Sequence, residues 1–260
     1  MRQILVALVL CLGAVYAQSP EENQDSINPD LFEGDMILEP GQRLAAEFGL
    51  DLDGLNRGSV RNRQWPNGIV PYNIHSSLAT QPKAMKAIQA GMDLWSSKTC
   101  IRFVQRTDEK AYIEFFKGRG CWSYVGRIGK KQLLSLAAGC WGKGTVSHEI
   151  AHALGFFHEQ SRPDRDDHVT IHFENIKDGR AGNFRKYRTS SANTLLTAYD
   201  YGSVMHYGAR YFSKNRKPTI VPKKSGVFIG QRAGPSATDV LEMNSVYKCS
   251  GPSSFGKFRP

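Results

Sequence analysis

The residues best equipped for chemistry stand close together: His148, Glu149, His152 and His158. On a helix, positions four apart share a face, so His148 and His152 project side by side. Two neutral imidazoles at that spacing can clasp one zinc ion, and Glu149 between them is a candidate general base. Gly155 tolerates the left-handed conformation found at helix ends, and the turn it permits can carry His158 back to the same metal. Three protein ligands and one open position describe a catalytic zinc site, whereas four ligands close a structural one. Two histidines and a glutamate arise by accident in some chains. The glycine and third histidine at fixed offsets make an accident rare.

The elements that must hold this cluster are legible around it. Trp65 to Gly68 reads as a turn and Ile69 to Ile74 as a strand. A helix is expected over 82–98, with Thr80 as cap, Pro82 in the first turn, and Met85, Ile88, Met92 and Trp95 at core spacing. Strands are expected at 101–104, 112–116, 122–125 and 133–136, with glycines 118, 120, 126 and 129 as turns between them. The histidine helix starts near Thr145. Residues 160–200 are polar and loop-rich, with short helices near 174–178 and 181–188. Ser236 and Asp239 open a closing helix as a capping box. The order predicts an α+β fold: a twisted mixed sheet with helices in the N-terminal half, a loop-rich C-terminal half, and a zinc cleft between them.

At 260 residues the chain suits one large domain or two small ones. Arg2, the apolar run from Ile4 to Val15 and the small-residue pattern ending at Ala17 read as a signal peptide over 1–17, which places the protein outside the cell. That run is too short for a membrane anchor. Without Cys11 in the signal peptide, Cys100, Cys121, Cys140 and Cys249 remain. An even number in a secreted chain implies two disulfides with three pairings open.

Charge is unevenly spread. Residues 18–55 hold ten acidic residues against Arg43, while 56–260 hold 32 basic against 14 acidic ones. An acidic front before a basic body suggests a propeptide over 18–57 that docks electrostatically and is cut within 55–63, at Arg57, Arg61 or Arg63. The catalytic domain is then 58–250 and the short tail 251–260. The basic body lacks the aromatic-interleaved tract that nucleic-acid binding needs. It fits instead acidic residues in a substrate, with Arg180, Lys223 and Lys224 as contacts.

The chain resembles the astacin family of metzincin zinc endopeptidases. The resemblance is carried by HEIAHALGFFHEQSRPDRD at 148–166, YDYGSVMHY at 199–207, GCWSYVGR at 120–127, LSL at 134–136, WPNGIVPY at 65–72 and GQR with SATD within 230–239. It implies a metzincin-type two-subdomain protease with one Zn²⁺ on His148, His152 and His158, and Glu149 as the base that polarises the bound water. Tyr207 would be an extra zinc ligand that swings away to stabilise the oxyanion. Met205 would form a tight turn under the metal, and Glu159 would anchor the new N-terminus after processing. The family disulfides would be Cys100–Cys249 and Cys121–Cys140. Cys121, Trp122, Ser123 and Tyr124 would form the edge strand that takes an extended peptide. Phe32-Glu33-Gly34-Asp35 resembles the family's latency motif, in which Asp35 ligates zinc in place of water. The implied protein is a secreted monomeric zymogen whose partners are protein or peptide substrates and an activating protease, with no nucleic acid and no membrane anchor.

Overall fold

The computed structural model describes residues 31–48, 63–187 and 197–249. The expected signal peptide over 1–17, the expected cleavage sites at Arg57 and Arg61 and the tail over 251–260 lie outside these. No helix among the described residues is long and apolar enough to cross a membrane.

The N-terminal half is built on a six-stranded mixed sheet. Its strands are β1 (Met36–Ile37), β2 (Ile69–Ile74), β3 (Arg102–Gln105), β4 (Tyr112–Phe116), β5 (Cys121–Tyr124) and β6 (Lys131–Leu136), in the spatial order β1-β5-β6-β4-β2-β3. All neighbours are parallel except β5 and β6, whose antiparallel register pairs Trp122 with Ser135. Burial alternates incompletely: Ile113, Glu114 and Phe115 of β4 are all buried, as a central strand covered on both faces requires.

Two helices lie against this sheet: α3 (Pro82–Ser96) and α4 (Lys143–Ala153). Gly91 lets them approach, because a Cβ there would sit 2.7 Å from Val146 Cγ1. Trp95 Nε1 donates to the Ser147 carbonyl (3.0 Å) and Trp65 Nε1 to that of Ala153 (2.9 Å), tying α4 to the core at both ends. Pro82 begins α3 as expected, but the cap is Gln81 and makes no side-chain bond. Thr80 instead closes a short helix, α2 (Ser76–Ala79), whose N-terminus is capped by His75. The expected strand at 122–125 begins one residue earlier and releases Val125.

The second half has little regular structure: α5 (Arg165–His168), the antiparallel pair β7 (Val169–Ile171) and β8 (Ile220–Pro222), and α6 (Ala237–Val246). Short 3₁₀ turns at Phe173–Asn175 and Ala181–Phe184 replace the two expected helices. Its core is an aromatic stack that includes Phe184, Tyr199, Tyr207, Tyr211 and Phe212. The capping box of α6 is present, with Ser236 Oγ accepting from Asp239 N (2.9 Å). Asp239 then reaches out of its helix, accepting from Ser203 Oγ (2.6 Å) and Val204 N (2.9 Å), and so fixes the turn that carries Met205. Disulfides join Cys100 to Cys249 and Cys121 to Cys140, the pairing the resemblance implies.

The acidic front segment is the surprise of the fold. It forms a helix, α1 (Pro40–Phe48), and β1 just before it adds to the main sheet beside β5. Met36 and Leu38 pack with Val125 and Phe157 of the body.

Candidate metal centre

Helix α4 is buried from Gly144 to Ala153, so its histidines meet protein and not water. It ends where Leu154 N bonds the Ile150 carbonyl and Gly155, at φ +108°, turns the chain. Few residues other than glycine adopt that conformation without strain. The turn brings His158 against the other two, with ring centroids 4.8 Å from His152 and 5.4 Å from His148.

The three rings are oriented through their Nδ1 atoms. His148 Nδ1 donates to the Val204 carbonyl (2.8 Å), His152 Nδ1 to the Phe156 carbonyl (2.7 Å) and His158 Nδ1 to Glu33 Oε2 (2.7 Å). A carbonyl or carboxylate oxygen can only accept, so each Nδ1 carries the proton and each neutral ring turns its Nε2 lone pair inward. Asp35 stands where they converge. Its carboxylate is 3.2 Å from His148 Nε2, 3.1 Å from His158 Nε2 and 3.5 Å from His152 Nε2.

These spacings fit a metal. About 3.3 Å is the edge of a tetrahedron whose corners lie about 2.0 Å from a central zinc. The ligand atoms of Asp35, His148, His152 and His158 all lie within 4.8 Å of one another, and all four residues are buried. His152 Nε2 and Asp35 Oδ1 are buried and hydrogen-bond to nothing among the described residues. An orphaned acceptor pair facing each other is costly unless a cation lies between them. Three imidazoles and a carboxylate are zinc donors, so the site can hold a zinc ion.

Burial alone would push the Asp35 carboxyl pKa up, but His158, His152 and His148 outweigh it and hold the group well below its usual range. Burial would lower His158, yet Asp35 and Glu33 raise it to about 9. Raised that far, His158 favours a second proton on Nε2, facing Asp35, which a zinc ion would displace on binding.

The other predicted residues take clear positions. Glu149 is fully buried beside His148 on α4. Met205 is buried, its N–H bonded to Ser203 Oγ (3.0 Å) and its carbonyl to Glu159 N (3.2 Å), on the turn whose Val204 carbonyl orients His148. Glu159 accepts from Asp200 N (2.7 Å) and Arg162 (3.2 Å), and burial pushes its carboxyl pKa well above normal. Tyr207 lies against His158, with ring centroids 4.6 Å apart, but gives its hydroxyl to the Glu33 carbonyl oxygen. Burial first, and then the charges of Asp35 and Glu33, keep that phenol protonated well past its usual pKa.

Strand β5, expected to be an open edge, is covered. β1 pairs with it in parallel, Met36 opposite Ser123 and Ile37 opposite Tyr124, and Ser123 N donates to the Asp35 carbonyl (2.9 Å). Of the expected basic contacts, Lys223 spends its ammonium on the Asp166 carbonyl (2.5 Å). Sequence reasoning misses Glu33, Ser161 and Tyr187, which cluster beside His158. The position of Glu33 inside the quoted Phe32–Asp35 stretch is the available signal.

Comparison with known proteins places this geometry in context. The family model for astacin, a family of peptidases, matches residues 58–248. Zinc metalloproteinase nas-15 of Caenorhabditis elegans is 44% identical over 229 residues, covering 85% of this chain and 40% of that protein. Meprin A subunit beta of Homo sapiens is 41% identical over 235 residues, covering 89% of this chain and 31% of that protein. Among solved structures, high choriolytic enzyme 1, a hatching enzyme zinc-protease from Oryzias latipes, aligns with a TM-score of 0.66 at 42% identity. That alignment covers 72% of this chain and 94% of the other. The chain thus spans well under half the length of the curated relatives named here.

Proposed function

The chain belongs to the astacin family, and from that premise we propose that it is a secreted zinc endopeptidase, made as a zymogen, that hydrolyses peptide bonds in proteins. The observation that carries the reading is the convergence of three imidazole Nε2 atoms on one carboxylate. His148, His152 and His158 would hold the metal. A bound zinc ion supplies Lewis acidity and a water acidified toward neutrality.

The chain's own residues do the rest. Glu149, one residue from a ligand and fully buried, takes the proton of the attacking water and passes it to the leaving amine. Tyr207 is positioned beside His158 to donate its hydroxyl to the oxyanion once the Glu33 carbonyl no longer accepts it. A phenol kept protonated is a donor at neutral pH, which that role requires. Met205 and Asp239 hold the turn that orients His148. Strand β5, with Cys121, Trp122, Ser123 and Tyr124, offers main-chain groups to an extended peptide after β1 departs.

Latency follows from the same contacts. Asp35 would take the fourth position around a bound metal, β1 covers the peptide edge, and the Tyr207 hydroxyl donates to the Glu33 carbonyl. An activating protease cutting within 55–63 would release all three. Glu159, now facing Arg162, would then take the new N-terminus. We take the protein to act as a monomer.

Glu149→Gln tests the chemistry. The amide keeps the shape and leaves the three histidines intact, so zinc content should stay at one per chain while peptide hydrolysis by the processed enzyme falls about 10²–10⁴-fold. Turnover close to wild type in a zinc-replete variant would refute the assignment.

A further inference from the structure

Glu33 lies in the propeptide, but its carboxylate is spent in the body. It is 2% exposed. Oε2 accepts from His158 Nδ1 (2.7 Å), and Oε1 accepts from Ser161 Oγ (2.8 Å) and the Tyr187 hydroxyl (3.0 Å). His158 is therefore flanked at both ring nitrogens by carboxylates two residues apart, Glu33 at Nδ1 and Asp35 at Nε2. The backbone makes this reach feasible. Glu33 sits at φ +48° and Gly34 at φ +86°, and a Cβ on Gly34 would meet Phe212 Cζ at 2.7 Å. The tight turn pressed against Phe212 points both carboxylates at one imidazole.

The other two histidines are held differently. Their Nδ1 acceptors are the carbonyls of Val204 and Phe156, both in the body. Only His158 draws its orienting acceptor from the segment that the proposed activation removes.

We propose that Glu33 is a positioning residue that acts through His158, so that the latent chain holds its zinc more tightly than the same chain without the Glu33 carboxylate. This rests on the reading of the three histidines as zinc ligands. A carboxylate on the far nitrogen of a ligating imidazole fixes its tautomer and ring angle and raises its basicity; losing such a partner weakens metal binding about 10–100-fold. Ser161 and Tyr187 hold the carboxylate in line, because each donates to the oxygen that His158 does not use. On processing, His158 would pass from a charged partner to water, and metal affinity would fall as activity appears.

The test uses the full-length, uncleaved, zinc-loaded proform and a competing chromogenic chelator. Glu33→Ala should bind zinc about 10–100-fold more weakly than wild type. Glu33→Gln, which keeps an oxygen for the Nδ1–H, should fall between them. In the cobalt-substituted proform, the visible d–d bands should shift in Glu33→Ala, a change that loss of propeptide packing alone would not cause. Thermal unfolding of the zinc-free proteins checks that both variants fold. Equal zinc affinity and an unchanged cobalt spectrum in Glu33→Ala, with wild type still binding one zinc, would overturn this inference and leave the metal site standing. A wild-type proform that takes up no zinc would overturn both.

Discussion

On the zymogen reading proposed above, replacing Asp35 by alanine in the uncleaved chain should open the latent site partly, by an amount the packing sets. The carboxylate is buried and lies 3.1–3.5 Å from three imidazole nitrogens. Removing one partner from a buried ionic cluster costs about 3–5 kcal/mol. At about 1.4 kcal/mol per tenfold, the open fraction should rise between roughly 10²-fold and a few times 10³-fold. The front segment keeps other anchors. Met36 is 0% exposed and Leu38 7%, packed on Val125 and Phe157. Each contributes about 1.5–3 kcal/mol, together as much as Asp35 supplies. The variant should therefore be intermediate: far more active than the wild-type proform and still well below the processed enzyme. The assay is hydrolysis of a quenched fluorescent peptide by proforms whose Arg57, Arg61 and Arg63 are replaced by glutamine, with intact mass confirmed afterwards. A variant as silent as wild type would show that Asp35 does not close the site. One as active as the processed enzyme would show that the apolar contacts contribute nothing.

Further perturbations follow from packing, cross-links and charge pairing. A Cβ on Gly144 would lie 1.7 Å from the Arg232 carbonyl oxygen, so Gly144→Ala must displace α4; chemical denaturation should show a loss of at least about 1–3 kcal/mol. Gly182→Ala, where a Cβ meets nothing within 4 Å, should stay within about 0.5 kcal/mol of wild type, and equal losses at the two sites would refute the packing argument. The disulfides close loops of 149 and 19 residues, so chain entropy assigns about 5 kcal/mol to Cys100–Cys249 and about 3 kcal/mol to Cys121–Cys140. Serine pairs measured by urea unfolding should keep that order, and the reverse order would refute the entropic account. Burial would raise the Glu114 carboxyl, but Lys131, Asn73 and His75 outweigh it and lower it from 4.5, while the same pairing raises Lys131 from 10.5. The pair thus stabilises above about pH 4.5, and its carboxylate share is lost as pH falls further. Lys131 is half-exposed, so Glu114→Gln should cost under about 1 kcal/mol near neutrality and nothing in strong acid. A mutant whose melting temperature tracks wild type at a constant offset from neutrality into acid would rule this out.

Where local chemistry dictates structure, the chain is readable. The spacing of His148, His152 and His158 with Gly155 between them predicts the metal cluster, because helix periodicity and one positive-φ position suffice to build it. Ser236 and Asp239 predict a capping box that the structure contains. What escapes reading depends on partners far away in sequence. Glu33 is bound by residues 125, 128 and 154 positions downstream, which no periodicity reveals. Strand β1 is two residues long, too short to show alternation, and exists because β5 offers it a free edge. Thr80 looks like the cap of α3 because the one-turn helix before it leaves almost no apolar pattern. The second half resists for a related reason: its core is mostly aromatic side chains on loops, meeting largely edge to face, so neither helical nor strand periodicity marks it.

The covering of β5 by β1 has a consequence for the chain's handling before activation. An edge that accepts an extended substrate accepts any extended chain, including a second copy of itself, and uncovered edges of this kind are where proteins begin to associate into aggregates. By filling that edge from within, the front segment lets the molecule be made, folded and stored at high concentration without templating its neighbours. If the proposed activation removes that segment, the processed chain should have a shorter colloidal lifetime than its precursor.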